Sequence, residues 1–339
     1  MSEQWAAWFP GPALPLRERV AAGLGRLGPD GVTVRRVVEA LGEEGLSRAR
    51  ARGDWWAPVV LAEVAAELLT PVQAAAVAAH FEIAVPALAA APEHDARGGD
   101  PVAEGIRVVG YPLGRGEVAV RRVASGVRLT GTYKGFAAAG ELHSFLLPVP
   151  RSTATQRVAV VNATSVGVRV VAPTGVVLSK VFVQHCCLLP VDREYLASAR
   201  LWLAAYEVAA ARQLLEQTRR HTNVRRSFGQ PLWEHQAVQL RIADLVAQAD
   251  GTRRLVHHAA RSLSEATATP ELIAAAEVNA SRLLRETAVH CQHLYGAAGY
   301  LAGQRSQQLL LEARVLSATR QVDQTARAAI AAARGWADE

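Results

Sequence analysis

The chain has 339 residues, half of them hydrophobic, with 37 Lys and Arg against 31 Asp and Glu for a net charge of +6. That length and apolar content suit a globular protein with a large core and exclude a disordered chain. The excess charge is mostly Arg, spread along helical stretches between Glu and Asp without like-charge runs or interleaved aromatics, which argues against nucleic acid as a partner.

The opening residues 1–16 lack a basic start followed by an apolar core, and no run reads as long enough to cross a bilayer, so neither a leader nor a membrane partner is expected. Residues 16–88 are rich in Ala, Leu, Glu and Arg at helical spacing, which predicts a helical layer. Residues 91–100 gather Pro, Gly and charge and read as a loop or linker.

From Gly105 to Leu189 short β-branched runs alternate with Gly, Pro, Asn and Ser. This texture predicts an antiparallel sheet domain, a small barrel or sandwich with one wet face. Cys186 and Cys187 fall in a run that reads as strand. With Cys291 they are the only cysteines, and no CxxC pair is formed, as suits a reduced, cytoplasmic protein.

After Pro190 strands vanish. Helical patterns cover residues 194–220, 232–250, 251–265, 270–295 and 304–335. The chain therefore divides into a helical domain (1–100), a β-domain (101–190) and a helical bundle (191–339), an α+β class that is mostly α. Between the first two bundle helices, Arg225 and Arg226 precede Phe228-Gly229, which breaks the helix, and Pro231 suits the first turn of the next. Two guanidinium groups beside a helix start suit a diphosphate.

The domain order, the string RRSFGQPLWEHQ and the later LYGAAGY resemble the acyl-CoA dehydrogenase family, flavoproteins with a helical N-terminal domain, a middle β-domain and a C-terminal four-helix bundle. The resemblance implies FAD as cofactor. It places Arg225, Ser227, Phe228, Leu232, His235 and Gln236 in the family's FAD-contacting block, generally at a subunit interface. It also matches Gly296 to Tyr300 with the element that touches the adenine half of FAD, although the second glycine is Ala297 and the preceding glutamine is His293. GVRLTGTYKGFAAAG resembles the strand lying against the flavin ring, with Phe136 as the aromatic and Ala137 to Ala139 where a hydroxyl is expected.

Family chemistry removes a proton α to a thioester carbonyl with a glutamate. The resemblance puts Arg320 at the usual base position and Ala199 at the alternative one, and neither residue is a base. Asp323 is the nearest carboxylate in sequence, either as a displaced base or as an exposed acid pairing with Arg320 or Arg327. Arg320 itself reads either as a surface charge or as a cation filling the site. Arg200 matches a family arginine near the acyl-CoA.

His257 and His258 lack metal spacing and read as solvent-exposed; no metal site is expected. The alanine stripe at 328–333 reads as helix packing, within or between subunits. Two functions follow, with a soluble helical scaffold that binds no flavin as a third reading, on Ala137 to Ala139 and Ala297. One is an FAD-dependent oxidoreductase acting on an acyl thioester of CoA or a carrier protein. The other is a catalytically degenerate subunit that pairs with a homologue, in a dimer or tetramer, and lends Arg225 and its neighbours to a shared FAD site.

Overall fold

The computed structural model describes residues 9, 12–27, 32–43, 54–91, 102, 104–114, 116–149, 157–171, 174–301, 303–320 and 322–335. They form two compact units, one drawn from residues 1–57 and 72–199, the other from residues 58–71 and 200–339. The loop expected at 91–100 lies almost wholly outside the described residues.

The first unit contains α1 (Ala13–Gly25), α2 (Val34–Glu43), the long helix α4 (Pro71–Ala89) and both four-stranded sheets. By length and composition α4 has the makings of a membrane span, with mean hydropathy 1.5. Its apolar surface is used internally instead, since 72% of the stretch is buried in the protein. The middle of α4 widens to a π-turn over Ala79–Ala84, every residue of which is buried. Such a turn marks a place where the regular ladder yields to side-chain packing. Here it carries His80 and Glu82 into the core. The His80 ring spans Val102 O (3.0 Å) and the Val109 N–H (3.1 Å), and the Ser198 hydroxyl donates to Glu82 Oε2 at 2.5 Å.

Eight of the β-strands make two four-stranded sheets. One has the order β1 (Val109–Gly110), β4 (Ser144–Val149), β5 (Arg157–Asn162), β8 (Leu188–Pro190); the other has β2 (Gly116–Val123), β3 (Gly126–Lys134), β7 (Gly175–Gln184), β6 (Val168–Val171). All pairings are antiparallel except β1 with β4, which is parallel. On β2 exposure alternates along the strand, giving the predicted wet face, whereas β4 is buried at nearly every position. The register of β3 against β7 slips between Leu129 and Gly131. Gly131 sits at φ +142, and a Cβ there would meet Glu117 O at 2.1 Å, so only glycine fits the bulge. Cys186 and Cys187 are not on a strand. They lie on the 3-10 turn His185–Cys187 that joins β7 to β8.

The second unit is a helical bundle that also takes in residues 58–71. Its helices are α5 (Arg193–Val224), α6 (Gln236–Ser264), α7 (Pro270–Leu294) and α8 (Arg305–Arg320), followed by a π-turn (Val322–Ala326) and α9 (Arg327–Ala333); α3 itself spans Trp56–Ala65. The sequence split α6 at Gly251, yet the helix is continuous. A single mid-helix glycine costs about 1 kcal/mol relative to alanine, less than the packing of a 29-residue helix returns. The start of α7 is well specified: Thr269 accepts from Leu272 N–H at 3.2 Å, Pro270 opens the helix and Glu271 sits in its first turn. On α9, Ala329 and Ile330 pack against Ala274, Val322 and Ala326, so the alanine stripe is used at least partly within the chain.

Candidate functional site

Two features of the bundle unit bear on function, an exposed hairpin and a buried charge network. The hairpin lies between α5 and α6. Arg226–Ser227 (β9) and Gln230–Pro231 (β10) pair antiparallel around Phe228-Gly229, both with positive φ (+48 and +83). That is the twist a two-residue hairpin demands, and it is costly for a phenylalanine. Pro231 therefore belongs to a strand, and α6 begins only at Gln236, so the predicted helix start at Pro231 is displaced by one short 3-10 turn.

Several bonds hold the hairpin. Arg226 Nη2 donates to Gly229 O at 2.5 Å, and Leu232 N–H donates to Arg225 O at 2.7 Å. The His235 ring lies 3.2 Å from both Gln230 Nε2 and Ser227 O. One tautomer satisfies both contacts: Nδ1 accepts from the Gln230 amide and Nε2–H donates to the carbonyl. His235 is thus first a brace of the turn. Of the two guanidinium groups expected to face a diphosphate, Arg226 is tied back to its own hairpin and Arg225 is left exposed. Ser227 and Leu232 are half-buried and Gln236 is exposed. Phe228 is 98% exposed and meets only the edge of His235, with ring centroids 6.3 Å apart.

At the far end of α7, His293 is exposed and stands edge-on to His290 at 6.3 Å. The Gly296–Tyr300 turn follows. Gly296 has φ +61, the left-handed conformation that ends a helix. Gly299 lets the chain touch α7, because a Cβ there would meet Gln292 O at 2.3 Å. The two glycines kept in GAAGY are those the backbone requires, and Ala297, where the resemblance expects a third, is exposed.

The buried network starts on α5. Arg200 and Glu207 are seven residues apart and so share one helical face. Glu277 approaches from α7, and Arg320 from the last residue of α8. Arg320 Nη1 donates to Glu207 Oε1 at 3.1 Å and its Nη2 to Glu277 Oε1 at 2.5 Å; Arg200 Nε donates to Glu277 Oε2 at 2.7 Å. The side chains of Arg320, Glu207 and Glu277 are 4%, 0% and 5% exposed, and only Arg200 reaches solvent, at 36%. Arg320 is therefore not a surface charge. It fills the position with a cation, and the anionic groups it faces are the chain's own.

The two carboxylates are unequal. Burial would raise Glu277, but Arg320 and Arg200 outweigh it and hold the group below the ordinary carboxylate range. Glu207 has one bond to Arg320, and its Oε2 has no hydrogen-bond partner. Burial there dominates and pushes its pKa up to about 7, with the negative charge of Glu277 adding to the rise against the pull of Arg320. Glu207 is the member of the network that takes up a proton near neutrality.

Trp202 and Tyr206 lie on the same helix, stacked at 6.3 Å, and Tyr206 donates to Leu69 O at 2.7 Å. A second buried ion group holds α3 to α6: Arg253 donates twice to Glu63, at 2.8 and 2.7 Å, with His257 Nε2 3.4 Å from the same carboxylate. His257 is 8% exposed, which corrects the solvent-exposed reading; His258 is exposed as expected. Among the described residues no group of His, Cys, Asp or Glu has the makings of a metal site.

In the first unit Phe136 has no exposed surface and packs edge-on against Phe145 (4.9 Å) and Tyr133 (6.4 Å). It is a core residue packed between two aromatic neighbours. Ala139 is buried and Ala138 takes a left-handed turn, so no hydroxyl stands in their place. Ala199 is 7% exposed and packs with Leu146 and Leu189. Asp323 falls on the π-turn after α8, and its side chain lies outside the described residues. Glu207 and Glu277 escaped the sequence reading because each sits singly in a helix judged by its apolar stripe. The available signal was a lone Glu207 inside the otherwise apolar run LWLAAYEVAAA.

Residues 189–334 match the model of the acyl-CoA dehydrogenase C-terminal domain. Over 108 residues the chain is 40% identical to the acyl-[acyl-carrier-protein] dehydrogenase MbtN of Mycobacterium bovis, covering 31% of this chain and 27% of that protein. The chain thus spans about a quarter of the length of the curated relatives it matches most strongly. Among solved structures it resembles glutaryl-CoA dehydrogenase from Mycobacterium smegmatis, with TM-score 0.85, 18% identity and coverage of 96% of this chain and 95% of that one. It also resembles the ChsE4-ChsE5 complex of Mycobacterium tuberculosis, with TM-score 0.81, 20% identity and coverage of 96% and 98%.

Proposed function

We infer, from a chain with the acyl-CoA dehydrogenase fold that carries this family's C-terminal domain over residues 189–334, that the protein is an FAD-dependent oxidoreductase subunit acting on an acyl thioester. The thioester is borne by CoA or by an acyl carrier protein, the latter being what MbtN is named for. The reaction is an α,β-dehydrogenation or a variant of it. The observation that carries this reading is the α5–α6 hairpin: a phenylalanine held 98% exposed in a left-handed turn is presented to something outside the folded chain. Backbone strain of about 1–3 kcal/mol is retained there, beside an exposed Arg225.

The bundle residues fit FAD in chemistry. Arg225 supplies a guanidinium for a diphosphate, Phe228 an apolar plane, Ser227, Leu232 and Gln236 line the hairpin, and open space surrounds Gly229 and Gly296. His293 offers a polar edge at the end of α7. Phe136 and Ala137 to Ala139 offer the ring no side-chain hydroxyl. Bound FAD would supply the hydride acceptor. For the proton, Glu207 is the carboxylate with a pKa suited to a base near neutrality, with Arg320 fixing its one bonded oxygen and Oε2 buried without a hydrogen-bond partner.

A second reading rests on a different observation. Arg320 is paired with both glutamates and Arg200 with Glu277, so the groups that would handle a thioester are committed to each other. This favours a catalytically degenerate subunit that contributes its hairpin to a homologue's FAD site in a dimer or tetramer, as the likeness to a complex of two chains would suit. Either form belongs in the cytoplasm, where the thiols stay reduced, without nucleic acid or membrane as partner.

Purifying the chain alone, and again with a homologue encoded beside it, separates the readings through the visible spectrum. Flavin bound by the chain alone and bleached by an acyl thioester removes the degenerate reading. Flavin present only in the mixed complex removes the self-sufficient enzyme. Arg225→Ala should lower FAD occupancy; unchanged occupancy would show that the hairpin serves another end.

A further inference from the structure

The three cysteines divide into two kinds. Cys291 on α7 is fully buried, and burial pushes its thiol up to about 11, which makes it inert at neutral pH. Cys186 and Cys187 are consecutive on the 3-10 turn between β7 and β8, with Sγ atoms 3.8 Å apart. Cys186 is exposed and Cys187 half-buried. No residue of this turn is buried, and its backbone is held by Leu188 N–H to His185 O and by His185 N–H to Ser125 O at 3.2 Å. The Cys186 thiol also lies 3.5 Å from Gln184 Oε1.

We propose that Cys186 and Cys187 form a thiol–disulfide exchange site for small disulfides of the glutathione class, with Cys186 the attacking thiol and Cys187 the resolving one. The exposed Cys186 thiolate attacks one sulfur of the small disulfide, forming a mixed disulfide and expelling one small thiolate. The Cys187 thiolate then attacks Cys186 Sγ, closing a bond between the neighbours and expelling the second thiolate, which takes up a proton. Two protein thiols and one small disulfide thus become one protein disulfide and two small thiols. Exposure decides the order, since the outer sulfur meets a solute first and the inner one lies within reach for the second step.

The position gives the step a structural consequence. Closing the ring displaces Cys187 and strains the Leu188 to His185 bond at the root of β8. That strand is only three residues long, pairs Leu188 with Ala159, and sends the buried Leu189 into the core of its unit. Oxidation should therefore loosen β8 ahead of the rest of its sheet.

The test uses the full chain, incubated with reduced and oxidised glutathione at set ratios, quenched with acid and mapped by mass spectrometry, with no flavin or turnover readout. Wild type should lose two hydrogens at the peptide holding both cysteines, and amide hydrogen exchange at Leu188 and Leu189 should rise. Cys187→Ser should trap a glutathione adduct on Cys186, and Cys186→Ser should lose both adduct and ring. A stable adduct on wild-type Cys186 without ring closure, an adduct on Cys187 in the Cys186→Ser protein equal to that on Cys186 in the converse variant, or no reaction at any ratio would overturn the proposal.

Discussion

Replacing Glu207 by glutamine removes one ionisable group and little else. The amide oxygen can still accept from Arg320 Nη1, and the volume is unchanged. In the folded chain Glu207 titrates at about 7 against an ordinary 4.5, so between those values the folded state holds a proton that the unfolded chain has released. By linkage the stabilising contribution is fully present below pH 4.5, falls as pH rises through the folded pKa, and then levels off. A gap of that size corresponds to about 3 kcal/mol, at about 1.4 kcal/mol per pKa unit. Denaturant unfolding of wild type and Glu207→Gln across this pH range reads it directly, as the difference between the two stability curves. His143, His221 and His290 have pKa values lowered first by burial and slope the other way, but they do so in both proteins and cancel. The difference curve should decline by about 3 kcal/mol from the acid to the neutral side. Parallel curves would refute the reasoning and show that the bond to Arg320 keeps Glu207 ionised throughout.

Two further changes separate structure from presentation. Glu63 is held at about 2 because its bonds to His257 and Arg253 outweigh burial, so it stabilises the fold above pH 4.5 and that contribution is lost as pH falls toward 2. Glu63→Gln should cost about 3–5 kcal/mol at neutral pH, since it leaves a buried Arg253 without its charge partner, and should flatten the acid limb of the unfolding curve. Phe228→Asn should leave stability unchanged or raise it by about 1 kcal/mol, because asparagine accepts the left-handed turn more readily. The same variant should weaken FAD retention or assembly with a homologue, read by flavin absorbance and by size-exclusion of the mixture; unaltered binding would detach the exposed ring from function.

Much of the fold was legible because its signals are local and periodic. Helical spacing located α5 and α7 to within a few residues, and turn residues separated most of the strands, though not β7 from β8. The errors have a common source, which is that tertiary contacts override local preference. Gly251 did not end α6 because the helix is buried along one side. Pro231 entered a strand because Phe228-Gly229 makes a complete hairpin before α6 begins. Cys186 and Cys187 left the strand pattern because β7 and β8 belong to different sheets and the chain must turn between them. At the site, the family motif pointed to the exposed hairpin. It gave no hint that His235 braces the turn or that Phe136 is core. The buried network was the least legible part, since Arg200, Glu207, Glu277 and Arg320 come from three helices far apart in sequence.

That network turns the missing base into a question about Glu207. A carboxylate buried beside an arginine is consistent with a base kept neutralised until substrate arrives, and equally with a permanent seal over a disused centre. Stability does not distinguish these, because Glu207→Gln relieves the burial of charge in both. Turnover does. If Glu207 removes the α-proton, Glu207→Gln should lower kcat by about 10²–10⁴-fold while flavin stays bound, the usual size of a general-base effect. If it seals the centre, the same variant placed in a mixed complex with an active homologue should leave kcat unchanged and the complex more stable above neutrality. The arginine then gives the confirming arm. Arg320→Gln would remove a guanidinium bonded to Glu277 and the one bonded to Glu207, raising the Glu207 pKa further; in a working base this moves the pH–rate profile upward, and in a seal it changes only the unfolding curve.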